Sequence, residues 1–193
     1  MLRKFCFLLF PLCFLLLSAC RPYEFNGTEY PDPEPAADFT LEDTSGKTFR
    51  LSDQRGRIVL LFFGFTSCPD VCPTTLSEAA RILEGLGDQA QQVRFAFVTV
   101  DPERDTQQRL GQYVARFHPD IVGLTGTPDE LQAVYDAYGI YAQKVPLEDS
   151  AAEYTMDHTA RVFLVDQDGR LRLSYSVGTL VEEILQDVQY LLD

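Results

Sequence analysis

Apolar residues follow two rhythms along this chain, and the switches between them outline its elements. The run Ile58-Val59-Leu60-Leu61-Phe62-Phe63-Gly64-Phe65 is apolar throughout, as expected of a strand buried on both faces of a parallel sheet. Residues 93–100 (Val-Arg-Phe-Ala-Phe-Val-Thr-Val) predict a second such strand, ending in the polar loop 101–106. Between them Leu76, Ala79, Ala80 and Leu83 recur at helical spacing over 74–86. A second helix is predicted over 107–117. Thr127-Pro128-Asp129-Glu130 supplies an N-cap, a proline at the first helical position and a capping-box glutamate. The helix it opens carries Leu131, Val134, Tyr135 and Tyr138 on one face. Before these elements, Phe39-Thr40-Leu41 and residues 48–51 flank a Thr44-Ser45-Gly46 turn, an N-terminal hairpin. After them, Arg161–Val165 and 171–177 flank an Asp168-Gly169 turn, and Val181–Leu192 closes the chain as an amphipathic helix. The class is α/β: a mixed central sheet flanked by helices, with no internal repeat and no second domain.

The start of the chain follows neither rhythm. Arg3 and Lys4 precede the apolar stretch 5–17, interrupted by Pro11 and shorter than the roughly 18 residues of a membrane span. Leu17-Ser18-Ala19-Cys20 resembles the lipobox of bacterial lipoproteins. Residues 1–19 are therefore predicted to be a cleaved signal peptide, with Cys20 lipidated and the protein anchored on the extracytoplasmic, periplasmic side of a membrane. Pro22, Pro31, Pro33 and Pro35 make 20–37 an extended tether in this reading, and 38–193 the folded domain.

This division simplifies the cysteines. Cys6 and Cys13 fall in the leader and Cys20 carries lipid, which leaves Cys68 and Cys72 as thiols, in a compartment where disulfides persist. The formal charge is −13, and loss of Arg3 and Lys4 makes it −15. Such a chain has no basic patch to meet phosphates, which argues against nucleic acid.

Cys68-Pro69-Asp70-Val71-Cys72-Pro73 sits where the first buried strand gives way to a helix. Oriented N–H groups and the positive helix end lower a thiol's pKa at such a place. The spacing is one residue longer than the thioredoxin Cys-x-x-Cys. In a helix, positions i and i+4 hold Cβ atoms about 5–6 Å apart, against about 3.5–4.5 Å in a disulfide. A disulfide needs local adjustment, and convergence on one soft metal ion fits at least as well, so metal clip and redox pair both stand. The element order is that of a thioredoxin-like fold, in which a cis-proline precedes the strand that follows the site. Here no proline occupies that stretch, and Asp157-His158-Thr159 stands just before Arg161. The missing proline and the cysteine spacing together favour His158 as a ligand. Two thiolates and an imidazole form a soft set suited to Cu(I) and Cu(II), whereas a structural zinc takes a fourth ligand. Asp157 is a candidate to orient His158 from behind. His118 is expected to close a helix, and Asp101 and Asp105 to act as turn and helix-cap residues.

Together these segments resemble the Sco/SenC family of copper-binding, thioredoxin-like proteins over roughly residues 38–193. The likeness rests on 62–73, Val100-Asp101-Pro102-Glu103-Arg104-Asp105-Thr106, Gly123-Leu124-Thr125-Gly126-Thr127 and Asp157-His158-Thr159. Phe65 stands where many relatives carry Tyr. The resemblance implies copper held by Cys68, Cys72 and His158, and a role in maturing the binuclear copper site of cytochrome c oxidase. The implied partners are the subunit bearing that site and another periplasmic copper chaperone or thiol reductase. Three functions compete. One is a metallochaperone without turnover. The second is a thiol–disulfide oxidoreductase, acting on the oxidase cysteines or sensing redox state. The third is a thiol peroxidase, which the Val71-Cys72-Pro73-Thr74 stretch suggests only faintly, because Pro69 occupies the place of the threonine such enzymes set three residues before the reactive cysteine.

Overall fold

A computed structural model describes residues 23–148, 150 and 152–193. The predicted leader and the lipidated Cys20 lie outside the described residues. Ten strands and four α-helices follow one another: β1 (Thr28–Glu29), β2 (Thr40–Asp43), β3 (Thr48–Arg50), β4 (Ile58–Gly64), α1 (Val71–Leu86), β5 (Val93–Thr99), α2 (Gln107–Val114), β6 (Ile121–Thr125), α3 (Pro128–Tyr138), β7 (Ala142–Pro146), β8 (Tyr154–His158), β9 (Arg161–Val165), β10 (Leu171–Ser176) and α4 (Val181–Leu192). Eight strands form one mixed sheet in the order β1-β10-β9-β4-β5-β6-β2-β3. The three central strands β4, β5 and β6 run parallel, and β9 closes antiparallel on β4 through Phe62↔Val162. This is the mixed α/β architecture expected of a thioredoxin-like fold.

All seven residues of β4 are buried, because both faces of the sheet are covered. Phe62 and Phe63 point to opposite faces. On one side Phe62 meets Phe97 at 5.9 Å between ring centroids, and Phe97 meets Tyr113 of α2 at 5.9 Å. On the other side Phe63 packs against Tyr135 and Tyr138 of α3 and against Phe163. Burying each such ring contributes about 1.5–3 kcal/mol. The capping box that opens α3 is present in full, with Thr127 Oγ1 accepting from Glu130 N and Glu130 Oε2 accepting from Thr127 N.

The structure corrects four expectations. Helix α1 begins at Val71, not residue 74: Pro73 sits in the first turn, where its missing N–H has no helical partner to lose. That places Cys72 inside the helix. Helix α2 stops at Val114, and α2 is capped by Thr106, whose Oγ1 accepts from Arg109 N at 3.2 Å, not by Asp105. Residues 121–125 form a third parallel strand, and Ala142–Pro146 and Tyr154–His158 form a two-stranded sheet of their own, β7–β8. Finally, residues 23–36 are not a free tether. β1 pairs with β10, and Ala36 N donates to the Gly169 carbonyl. Asp187 of α4, fully buried, accepts hydrogen bonds from Tyr23 Oη, Asn26 N, Asn26 Nδ2, Gly27 N and Tyr175 Oη. Tyr23 stacks on Tyr190, their ring centroids 3.9 Å apart. Proline content alone suggested a spacer; the buried carboxylate and the aromatic stack hold the segment on the domain.

Candidate metal centre

The site gathers at the carboxyl end of β4. The chain turns sharply after Phe65, with Cys68 N donating to the Phe65 carbonyl at 3.2 Å. Asp105, 1 % exposed, fastens this turn: it accepts from Thr66 N at 3.0 Å, Thr66 Oγ1 at 2.5 Å and Thr99 Oγ1 at 2.7 Å. Arg109 of α2 reaches the same turn, donating to Ser67 Oγ at 2.7 Å. Cys68 is half-buried, Cys72 is fully buried one helical turn on, and both are free thiols. Cys72 N donates to Cys68 Sγ at 3.4 Å. Gly64 makes room for the buried sulfur: a Cβ built there would lie 2.7 Å from Cys72 Sγ.

The two thiols are unlike. Cys68 is pulled well below the usual thiol range, first by the hydrogen bond from the Cys72 side chain, with His158 and the N–H groups of Cys72 and Asp70 adding to it against the opposing effect of burial. Cys72 is pushed up, by donating that same hydrogen bond and by burial. The same contact drives the two shifts in opposite directions, which makes Cys68 the more acidic sulfur of the pair.

His158 ends β8. Its ring stands edge-on to Phe65, with centroids 5.8 Å apart and planes at 88°. Its Nδ1 lies 3.1 Å from the Thr159 carbonyl oxygen. That carbonyl can only accept, so Nδ1 meets it with an N–H. Phe65, Cys68, Met156, Asp157 and His158 line one shallow cleft of about 220 Å³, and Cys72 is buried outside its lining. Among the described residues no group of three His, Cys, Asp or Glu side chains converges as a ready-made metal cage. Cys68 and His158 share the cleft.

The other candidates fall elsewhere. Asp157 is exposed at the cleft edge, and the hydrogen bond expected of it on His158 is made by Thr159 O. His118 accepts from Asp120 N at 3.2 Å in the turn after α2, a structural role. Asp101 and Asp105, both 1 % exposed, are more than turn residues: Asp101 accepts from Arg104 Nε at 2.5 Å and from Tyr154 Oη at 2.8 Å. Arg104 and Tyr154 carry no sequence signal for this pairing, because it depends on a hairpin the apolar pattern does not reveal.

A dithiol at the carboxyl end of a central parallel strand, on a mixed sheet of this order, places the chain among the thioredoxin-like proteins. Within that class it belongs to the SCO1/SenC family, whose model matches residues 28–193. Among solved structures it is similar to copper-bound ScoI of Bradyrhizobium japonicum, at 40% identity and a TM-score of 0.75 over 82% of this chain and 100% of that one. It is also similar to apo Sco1 of Thermus thermophilus, at 40% identity and a TM-score of 0.79 over 90% of this chain and 100% of that one. A SCO2-like protein of Rickettsia felis is 34% identical over 149 residues, 77% of this chain and 73% of the relative.

Proposed function

We propose that this protein binds copper through Cys68, Cys72 and His158 and delivers it to the binuclear copper site of cytochrome c oxidase. The observation that carries the reading is the cleft: Cys68 and His158 line it together, and Cys72, buried four residues on, donates its N–H to the Cys68 sulfur. The donor set suits copper, since thiolate selects Cu(I) and imidazole also suits Cu(II). The family's copper-bound relative supports the same choice of metal. Copper is cargo here, held by groups that can be exchanged one at a time. The site lies on an extracytoplasmic domain anchored through Cys20, and membrane fractionation of Cys20→Ser tests the anchor: normal retention would overturn it.

A second reading rests on the unequal thiols. Cys68 thiolate can attack a client disulfide, Cys72 can resolve the mixed disulfide, and the client leaves as a dithiol while Cys68 and Cys72 end as a disulfide. The two readings are separated by copper titration of the reduced protein. Cys68→Ser and Cys72→Ser are expected to abolish tight Cu(I) binding, His158→Ala to bleach the thiolate-to-Cu(II) absorption while keeping Cu(I) affinity, and His118→Ala to change neither. Equal retention of both oxidation states in His158→Ala would remove His158 from the ligand set. In cells, recovery of oxidase activity in a deletion strain by thiol reductants, and not by copper, would favour the reductase.

A further inference from the structure

His158 is carried by an element that the main sheet does not hold. β7 and β8 pair only with each other, and no strand of the eight-stranded sheet hydrogen-bonds to them. Ala142 and Met156 pack against the core, and one arginine joins the body to the backbone of this hairpin. Arg104 Nη1 donates to the carbonyls of Tyr154 at 2.8 Å and Ala152 at 3.1 Å. Its guanidinium carbon lies over the Tyr154 ring, 3.7 Å from the centroid, and stands 5.9 Å from the centroid of Phe65, the ring edge-on to His158. On the body side Arg104 Nε donates to the buried Asp101, which also accepts from Tyr154 Oη. A further polar tie is the ion pair of Lys144 with Glu103, whose side chains are 44% and 66% exposed. An exposed pair of that kind contributes little. A charge-assisted bond to a buried carboxylate, with a stacked planar guanidinium, contributes more.

We propose that Arg104 is a positioning residue for His158. It clamps the β7–β8 hairpin to Asp101 and to the Phe65 ring, and so fixes the place of the imidazole opposite the two sulfurs. The cysteines need no such clamp, because β4 and α1 are part of the core. The proposal rests on the copper reading above for its effect on metal, but not for its effect on the hairpin.

The test uses the full-length protein in detergent with Arg104→Ala, Arg104→Lys, Tyr154→Leu and His158→Ala. In the metal-free protein, amide hydrogen exchange in Ala142–Pro146 and Tyr154–His158 is expected to speed up in Arg104→Ala while β4 and β5 stay protected. Cu(II) affinity, read by competition and by the thiolate-to-Cu(II) band, is expected to fall about 10- to 100-fold, the usual effect of losing a group that orients a ligand. Cu(I) affinity falls less, since two thiolates suffice for it. Arg104→Lys recovers part of the loss, because a lysine keeps the charge but not the fork or the stack. Tyr154→Leu shifts both readouts the same way by a smaller factor, and it decides the matter if Arg104→Ala does not fold. In a His158→Ala background, Arg104→Ala is expected to cost less than about twofold more, within the scatter of independent sites. Unchanged hairpin exchange in a folded Arg104 variant, or an undiminished loss in the His158→Ala background, overturns the proposal. If His158→Ala alone leaves the Cu(II) band intact, the ligand reading has failed, and the exchange data still judge the clamp.

Discussion

Gly64→Ala tests whether the buried sulfur sits where the structure puts it. A Cβ at this position would lie 2.7 Å from Cys72 Sγ and 2.7 Å from Phe97 Cε2. Ordinary non-bonded contact needs about 3.5–4.0 Å, so the overlap is about 1 Å on each side. Phe97 has little room to retreat, being held between Phe62 and Tyr113, each 5.9 Å away. The displacement therefore falls on Cys72 and the first turn of α1. Overpacking of this kind costs about 1–3 kcal/mol. At about 2–4 °C per kcal/mol for a chain of this size, the melting temperature is expected to drop by about 2–12 °C. The assay has two arms: thermal unfolding followed by circular dichroism, and alkylation of Cys72 in the native state. The second arm is the discriminating one, since a sulfur pushed off the strand end gains access to solvent and reacts faster. An unchanged melting temperature with Cys72 as unreactive as before would refute the close approach of Cys72 to the end of β4.

Two further outcomes follow from buried groups. Because Cys68 is depressed and Cys72 raised, iodoacetamide at pH 6 is expected to modify Cys68 first, with a rate that stays flat as pH rises to 8; preferential labelling of Cys72, or a Cys68 rate that climbs steadily across this range, would contradict the assignment of Cys68 as the more acidic sulfur. Asp187→Ala strands the donors of Asn26, Gly27 and Tyr175 and is expected to cost at least about 2 kcal/mol in urea unfolding. It also opens residues 23–30 to protease, and full protection of that segment would show that Asp187 does not hold it.

The central strands were readable because burial on both faces leaves an uninterrupted apolar run, and the cysteine pair was readable because its spacing and its place after such a run are local. β6 was hidden by its shortness and by Gly123, which lets Leu110 and Thr44 press against the strand: a Cβ there would lie 2.9 Å from Leu110 Cγ. β7 gave no pattern because four of its five residues face solvent. Without that hairpin the apolar pattern offers no reason to bring Tyr154 to Asp101, so the clamp on His158 was beyond reach although each of its members lay in plain view. Asp187 lies in the closing amphipathic helix, and nothing in its local sequence marks it as buried. Tyr23, Asn26 and Gly27, three of its four partner residues, lie at the far end of the chain, and only the folded structure shows that the helix turns this carboxylate inward.

The hold of Asp187 on residues 23–27 also sets an order of events. Tyr23 and Asp187 are 164 residues apart, and β1 has no partner until β10 exists. β1, the first of the described strands, can thus dock in full only once β10 and α4 are in place. Contacts of such long separation are slow to close. Until they do, β10 presents an open edge to solvent, the kind of edge on which chains join to one another. A chain emerging stepwise across a membrane would pass through this stage every time, with its N-terminal end already delivered and its last helix still to come.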